Sequence, residues 1–327
     1  KYFSLHIFTL YYFCPKEMNK NKELSSFTAL RHFFYSQSGT GISANTVLLL
    51  HVLTLLPEHR LKPTDLTIGH LAFIHTVMQL TTGFVVTDSF GSQNVWNDLT
   101  CKSVFFLHRL MRGLSISTTC LRSVLQAITL SPRSSCLAKF KHKSSNHNLC
   151  LLLLLWVFSM FSGVHLLIST VATPNVTSAS FLLVTKSCSL WLMSCYFRFT
   201  LFTLETVQDV FFMGLMVVCS GYMVVLLYRH KRRSQHLHSN KRSPRASPEE
   251  RATRTILLLM SFFVFMYIFD CIVSSTSGLS WNNDPVHLLI QMLVGNSYGT
   301  ISPLVLISSE RRIMKLLKYM WGKDHKC

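Results

Sequence analysis

Inside one apolar stretch, His108-Arg109-Leu110-Met111-Arg112-Gly113 places an imidazole and two guanidiniums where hydrocarbon-like residues are the rule. His108, Arg112, Ser115 and Thr119 recur at i, i+4 and i, i+3 spacing, which puts them near one face of a helix. A charge at bilayer depth is expensive and by default marks a functional site. Such a face supports recognition: a polar pocket for a small ligand, or an ion pair that locks two helices, and one pair can serve both. Asp270, in another apolar run, is the leading counter-ion, with Asp88, Glu205 and Asp209 as alternatives. Arg122 follows Arg112 by ten residues, about 15 Å along a helix at 1.5 Å per residue. From there it either snorkels to the nearer surface or pairs within the bundle. His70 and His75 read as core histidines. No H-E-x-x-H motif, phosphate-binding glycine loop or nucleophile triad is present, and the ten cysteines lack metal-site spacing, so the reading holds no catalytic residue, metal or cofactor and the chain is expected not to be an enzyme.

The elements that must position these residues are seven apolar runs, near 29–56, 65–87, 103–130, 149–171, 210–228, 255–277 and 285–307. A bilayer core takes about 20 apolar residues per helix, so the fold class is an all-α seven-transmembrane bundle. Of 327 residues, 49% are hydrophobic and only 14% charged, against about a quarter charged in soluble domains. The net charge of +18 would suit nucleic acid if it were spread as a patch. It is instead confined to alternate connectors. The connectors near 57–63, 131–148 and 229–254 and the tail from Ser308 hold 2, 4, 9 and 6 Lys/Arg, against 1, 2 and 0 in the other three. By the positive-inside rule the N-terminus is extracellular and the tail cytoplasmic. The partner is therefore the lipid bilayer, with no nucleic acid.

The division expected is an extracellular N-terminus over 1–28, a seven-span domain over 29–307 and a cytoplasmic tail over 308–327. Residues 1–17 precede Met18, resemble a signal peptide only weakly and are set aside as candidate upstream sequence. Cys101 at the outer start of the third span and Cys188 in the long outer segment Ala172–Asp209 face an oxidising compartment and are expected to bridge, with Cys195 as the competing partner. Asn175-Val176-Thr177 in the same segment is a glycosylation sequon. The connector near 229–254, rich in Ser, Pro and His, reads as a flexible linker. Ile313, Leu316, Leu317, Met320 and Trp321 recur at helical spacing among Lys and Arg, which suits a short amphipathic helix in the membrane interface. Arg133, Lys139, Arg232 and Arg233 are the basic residues expected to contact a cytoplasmic partner.

Taken together, several runs make a specific resemblance: His59-Arg60-Leu61-Lys62-Pro63-Thr64-Asp65-Leu66, Phe90 to Asn94, His108 to Cys120, Leu125 to Arg133, Ala172 to Asn175, Gly221-Tyr222-Met223, Ser247 to Thr253 and Ile301-Ser302-Pro303. Over about 27–320 the chain resembles the vomeronasal type-1 receptors. The resemblance implies a pheromone receptor in the plasma membrane, signalling from a small-molecule pheromone to a heterotrimeric G protein of the inhibitory class. On that reading the pocket is His108, Arg112, Ser115 and Asp270 beneath a lid tethered by Cys101 and Cys188. Where rhodopsin-like receptors carry Asp-Arg-Tyr this chain reads Leu125-Gln126-Ala127, and Ser302-Pro303 stands in place of Asn-Pro, so the activation lock is expected to differ. Arg122 stands where the family pattern usually has leucine, and the first span is about one residue short after Leu50. The alternative readings are a taste-type chemosensory receptor and a non-functional, pseudogene-like member. A channel or transporter is disfavoured, because Asp270 is the one credible deep acid and the halves show no inverted repeat.

Overall fold

In lipid the backbone must satisfy its own hydrogen bonds, so apolar runs of bilayer length fold as helices. The computed structural model of the chain describes residues 20–55, 63–90, 96–132, 145–172, 181–183, 187–191, 195–237, 248–279 and 285–309. The seven runs become α1 (Lys20–Leu55), α2 (Pro63–Phe90), α3 (Asp98–Leu130), α4 (Ser145–Gly163), α6 (Cys195–Leu237), α7 (Pro248–Leu279) and α8 (Pro285–Ser309). A short α5 (His165–Ser169) continues α4 beyond Val164. Three strands, β1 (Thr170–Ala172), β2 (Phe181–Leu183) and β3 (Cys188–Trp191), form an antiparallel sheet in the order β1-β3-β2.

Helix α3 is the centre. It packs on α2, α4, α6 and α7, while α1, α2 and α8 form a second contact group that closes through α7. Residues from Leu110 to Cys120 on α3 are all buried except Arg112, which is half-buried. Segments in α4, α6, α7 and α8 are apolar enough to cross a membrane by hydropathy. Helices α1, α2 and α3 are more polar because their polar side chains point at each other. Ser38, Asn45, Thr67, His75, Gln79, Thr82 and Thr118 are all buried. Several hydroxyls fold back on the carbonyl one turn earlier, as Thr76 does to Ala72, Ser117 to Gly113 and Thr119 to Ser115, so these cross the bundle with their donors paired. Where α3, α6 and α7 meet, the core is rich in methionine: Met213, Met216, Met223 and Met260. Unbranched thioether side chains repack at low cost.

Pro303 lies inside α8. It has no N–H to offer the carbonyl of the residue four before it, which is Gly299. Asn45 on α1 supplies the missing donor, its Nδ2 lying 2.9 Å from Gly299 O and 2.8 Å from Gly41 O. A side-chain amide in the first span thus repairs the break in the last. Asn45→Ala should lower thermal stability by about 1 kcal/mol, the worth of one net hydrogen bond. In a Pro303→Ala background, where the backbone donor returns, the same substitution should cost much less. Equal costs in the two backgrounds, read by thermal unfolding in detergent, would show that Asn45 does not serve that carbonyl.

Several boundaries differ from those expected. The fifth run, expected from residue 210 to 228, is helical from Cys195 to Leu237, so the helix takes in part of the long outer segment and of the basic connector expected to be a linker. The first helix starts at Lys20, within the segment expected to precede the bundle. The third starts at Asp98 because Asn97 caps it, its side chain accepting the Thr100 N–H at 2.8 Å. The fourth ends at Gly163, and the chain from Thr170 turns into the sheet. Hydropathy registers only what lipid touches. Helical turns in water continue under their own backbone bonds and caps.

Candidate ligand-binding site

The residues expected to hold the lid are joined. Cys101 in the first turn of α3 and Cys188 at the start of β3 form a disulfide with Cα atoms 5.8 Å apart. Cys195, the competing candidate, opens α6. Two carboxylates reinforce the tether. Asp98 accepts the Ala172 N–H from β1 at 2.6 Å. Asp88 at the end of α2 accepts the Ser187 hydroxyl at 2.5 Å and its N–H at 3.2 Å. The sheet is thereby pinned to both α2 and α3.

Deeper in the bundle, Arg112 on α3 donates from Nη2 to Asp270 Oδ2 on α7, forming an ion pair. The Arg112 side chain is 28% exposed and that of Asp270 only 4%. The guanidinium carbon stands 6.0 Å from the centre of the Tyr267 ring, a cation–π distance. Tyr267, one turn from Asp270, donates its hydroxyl to Asp209 on α6 at 3.0 Å. Arg109 pairs instead with Glu205 on α6 at 3.1 Å. The alternative acids named from sequence thus each have another partner: Asp88 the Ser187 backbone and hydroxyl, Glu205 Arg109, and Asp209 Tyr267.

A cleft of about 50 Å³ opens beside this pair, within about 420 Å³ of empty space that includes its mouth. Arg112, Ser115 and Asp270 line it, as do Tyr267, Phe263 and Tyr298. His108 does not line it. Its Nδ1 lies 3.2 Å from the hydroxyl of Thr82 on α2. The Ser115 hydroxyl lies 2.9 Å from His75 Nε2, and His75 sets its ring edge-on to Tyr298, with centroids 5.4 Å apart. His70 accepts the Trp156 indole N–H at Nε2, 2.8 Å away, so its proton sits on Nδ1, which faces the Thr118 hydroxyl at 3.2 Å. Both core histidines are thus held by hydrogen bonds.

Sequence reasoning missed Tyr267, Phe263, Tyr298 and Gly295, which also line the cleft. Tyr267 carried a signal, being three residues before Asp270 and so on the same helical face. Gly295 carried none. Arg122 is buried, 7% exposed, with its Nε lacking a hydrogen-bond partner. At the opposite end from the sheet, Gln126 donates to Thr253 on α7 at 3.3 Å, a neutral α3–α7 link where an Asp-Arg-Tyr triplet is absent. Arg232 is exposed near the end of α6, with Arg233 beside it in the helix. Arg133, Lys139, Asn175 and the amphipathic tail segment fall outside the described residues, as do residues 1–17.

These observations agree with comparisons to known proteins. The vomeronasal organ pheromone receptor family matches residues 28–319. Vomeronasal type-1 receptor 90 of Rattus norvegicus is 54% identical over 89% of this chain and 94% of its own length. Vomeronasal type-1 receptor 51 of Mus musculus is 47% identical over 92% of this chain and 94% of its own. Among solved structures, squid rhodopsin superposes with a TM-score of 0.70 at 15% identity, covering 93% of this chain and 82% of that one. At that identity the likeness speaks to the seven-helix fold alone. The buried charges, the disulfide-pinned sheet and the helix order thus sit on a rhodopsin-type scaffold, and by match and identity the chain belongs to the vomeronasal type-1 receptor family, a family of multi-pass membrane receptors for pheromones rather than of enzymes.

Proposed function

We propose that the chain binds a small extracellular chemosignal in the cleft beside Arg112 and Asp270 and relays it to an inhibitory-class heterotrimeric G protein. The carrying observation is the ion pair itself. It joins α3 to α7, is lined by open space, and lies between the pinned sheet and the basic end. A ligand shifts a two-state equilibrium only through unequal affinity for the two states. Contacts to a charged pair spanning two helices supply that inequality. The methionine-lined seam between α3, α6 and α7 lets those helices repack, and the Gln126–Thr253 bond is the neutral contact released or kept at the far end.

In this reading the N-terminus and the sheet are extracellular, Asn175 carries a glycan, and the basic connectors and tail face the cytoplasm of a plasma-membrane receptor. Arg133, Lys139, Arg232 and Arg233 meet the G protein. Replacing Arg232 and Arg233 by alanine should reduce the G-protein response at least about fivefold, the low end of typical coupling energies, while surface expression and ligand binding persist. The assay is receptor expression with an inhibitory-class G protein and a calcium or cyclic-nucleotide readout. An unchanged response, or a tag near 238–247 that antibodies reach without permeabilisation, would overturn the scheme. One observation favours the second reading, a member that folds and signals poorly: buried Arg122.

A further inference from the structure

We propose that the cleft is shaped for a neutral headgroup that both donates and accepts a hydrogen bond, a hydroxyl, carried on a compact apolar body. The inference rests on the cleft being the ligand site and specifies what it recognises. Asp270 is 3% exposed, and its Oδ1 has no hydrogen-bond partner, while Oδ2 takes the guanidinium. A buried carboxylate oxygen without a donor is costly, and this one borders the cleft. Gly295 on α8 leaves the approach to that oxygen open. A Cβ there would lie 3.9 Å from Asp270 Oδ1 and 3.9 Å from Arg112 Nη1. The missing side chain leaves one point of space flanked by an acceptor and a donor. A ligand atom displaced from that point toward the pair, far enough to clear the Gly295 Cα, comes within hydrogen-bond reach of both.

The flanking charges sort the candidates. A carboxylate or sulfate accepts from Arg112 but sets its own negative charge against Oδ1. An ammonium donates to Oδ1 but meets the guanidinium. A ketone accepts from Nη1 and leaves Oδ1 as it was. A hydroxyl does both with no net charge, matching a site whose own charges already cancel. Around it the wall is apolar and soft: Met78, Ile116, Phe263, Met266, Val294 and Tyr298. The 50 Å³ interior is small beside the ~300–1,000 Å³ of drug-sized pockets. It therefore takes the headgroup and its first carbons, with the body lying toward the mouth.

The test is a matched panel on cells expressing the full chain: borneol beside camphor and bornylamine, and octanol beside octanone, octanoate and octylamine. Alcohols should activate at concentrations at least about tenfold below the ketone of the same skeleton, because a site built to bond a hydroxyl rejects analogues lacking it. Gly295→Ala adds a Cβ at ordinary contact distance, and Gly295→Val fills the point more fully. Both should raise the half-maximal alcohol concentration at unchanged surface expression, valine the more. Agonists confined to carboxylates or amines but sensitive to Gly295 would overturn the hydroxyl assignment and leave the cleft as the site. Alcohol responses that ignore both Gly295 variants would overturn the site reading. Silence from every class would overturn the inference.

Discussion

Arg112→Met should destabilise the folded receptor by about 3 kcal/mol, the lower end of the range for breaking a buried ion pair. Adding Asp270→Val should recover most of that loss. The single change leaves a carboxylate that is 4% exposed without its guanidinium and with neither oxygen bonded, since Oδ1 already lacks a partner. The double change removes both charges, and apolar replacements of buried pairs are often neutral or stabilising. The lower end of the range applies because the Arg112 side chain is 28% exposed and so partly solvated. That exposure also predicts an asymmetry. Asp270→Val alone should cost less than Arg112→Met alone, because the freed guanidinium keeps Tyr267 beneath it and has Asp209 within electrostatic reach. Thermal unfolding of detergent-solubilised protein measures all three variants, and a cell assay on the double variant separates stability from recognition. The double variant should reach the surface and fail to respond. A double variant that responds like the parent shows the pair to be only a helix lock. One as unstable as the single shows that the pair was not what held α3 to α7.

That experiment turns on a choice that sequence left open. The seven helices were legible because each lipid-facing run must be apolar, and Arg112 was legible because a charge there is conspicuous. Which acid answered it was legible only as a ranking, with Asp270 first and three alternatives left standing. Asp88, Glu205, Asp209 and Asp270 all sit in or near apolar runs, and only packing shows that Ser187, Arg109 and Tyr267 engage the first three. The disulfide was legible for the opposite reason: Cys101 and Cys188 lie where the expected topology exposes thiols to oxidation. The small sheet was not, because three-residue strands leave no periodicity. Gly295 stayed hidden because its contribution is an absent side chain. The Asn45–Gly299 bond was also hidden, since it joins residues 254 apart in sequence. Pro303 did carry its half of that signal, a carbonyl one turn back needing a donor from elsewhere.

Arg122→Leu should act in the opposite direction and raise thermal stability and surface yield. On insertion scales arginine at mid-helix is unfavourable by about 2.5–3.5 kcal/mol and leucine favourable by about 0.3–0.6 kcal/mol. Within a bundle part of that difference is already recovered. Asp65 on α2 lies within electrostatic reach of the guanidinium, and the neutral phenol of Tyr298 on α8 stands near it, so a gain of about 1–3 kcal/mol is expected. The residue is 7% exposed and its Nε lacks a hydrogen-bond partner, which is the portion that leucine removes. The size of the gain measures how far Asp65 compensates the charge. Asp65→Asn in the parent should destabilise, by leaving Arg122 less balanced, and should cost less once residue 122 is leucine, the remainder coming from its place in the first turn of α2. The coupling energy from that cycle reports the Arg122–Asp65 interaction directly. If Arg122→Leu instead lowers stability, the guanidinium is bridging α2, α3 and α8 productively. Basal signalling should then rise with the substitution, because a contact among three helices that holds the resting arrangement has been lost.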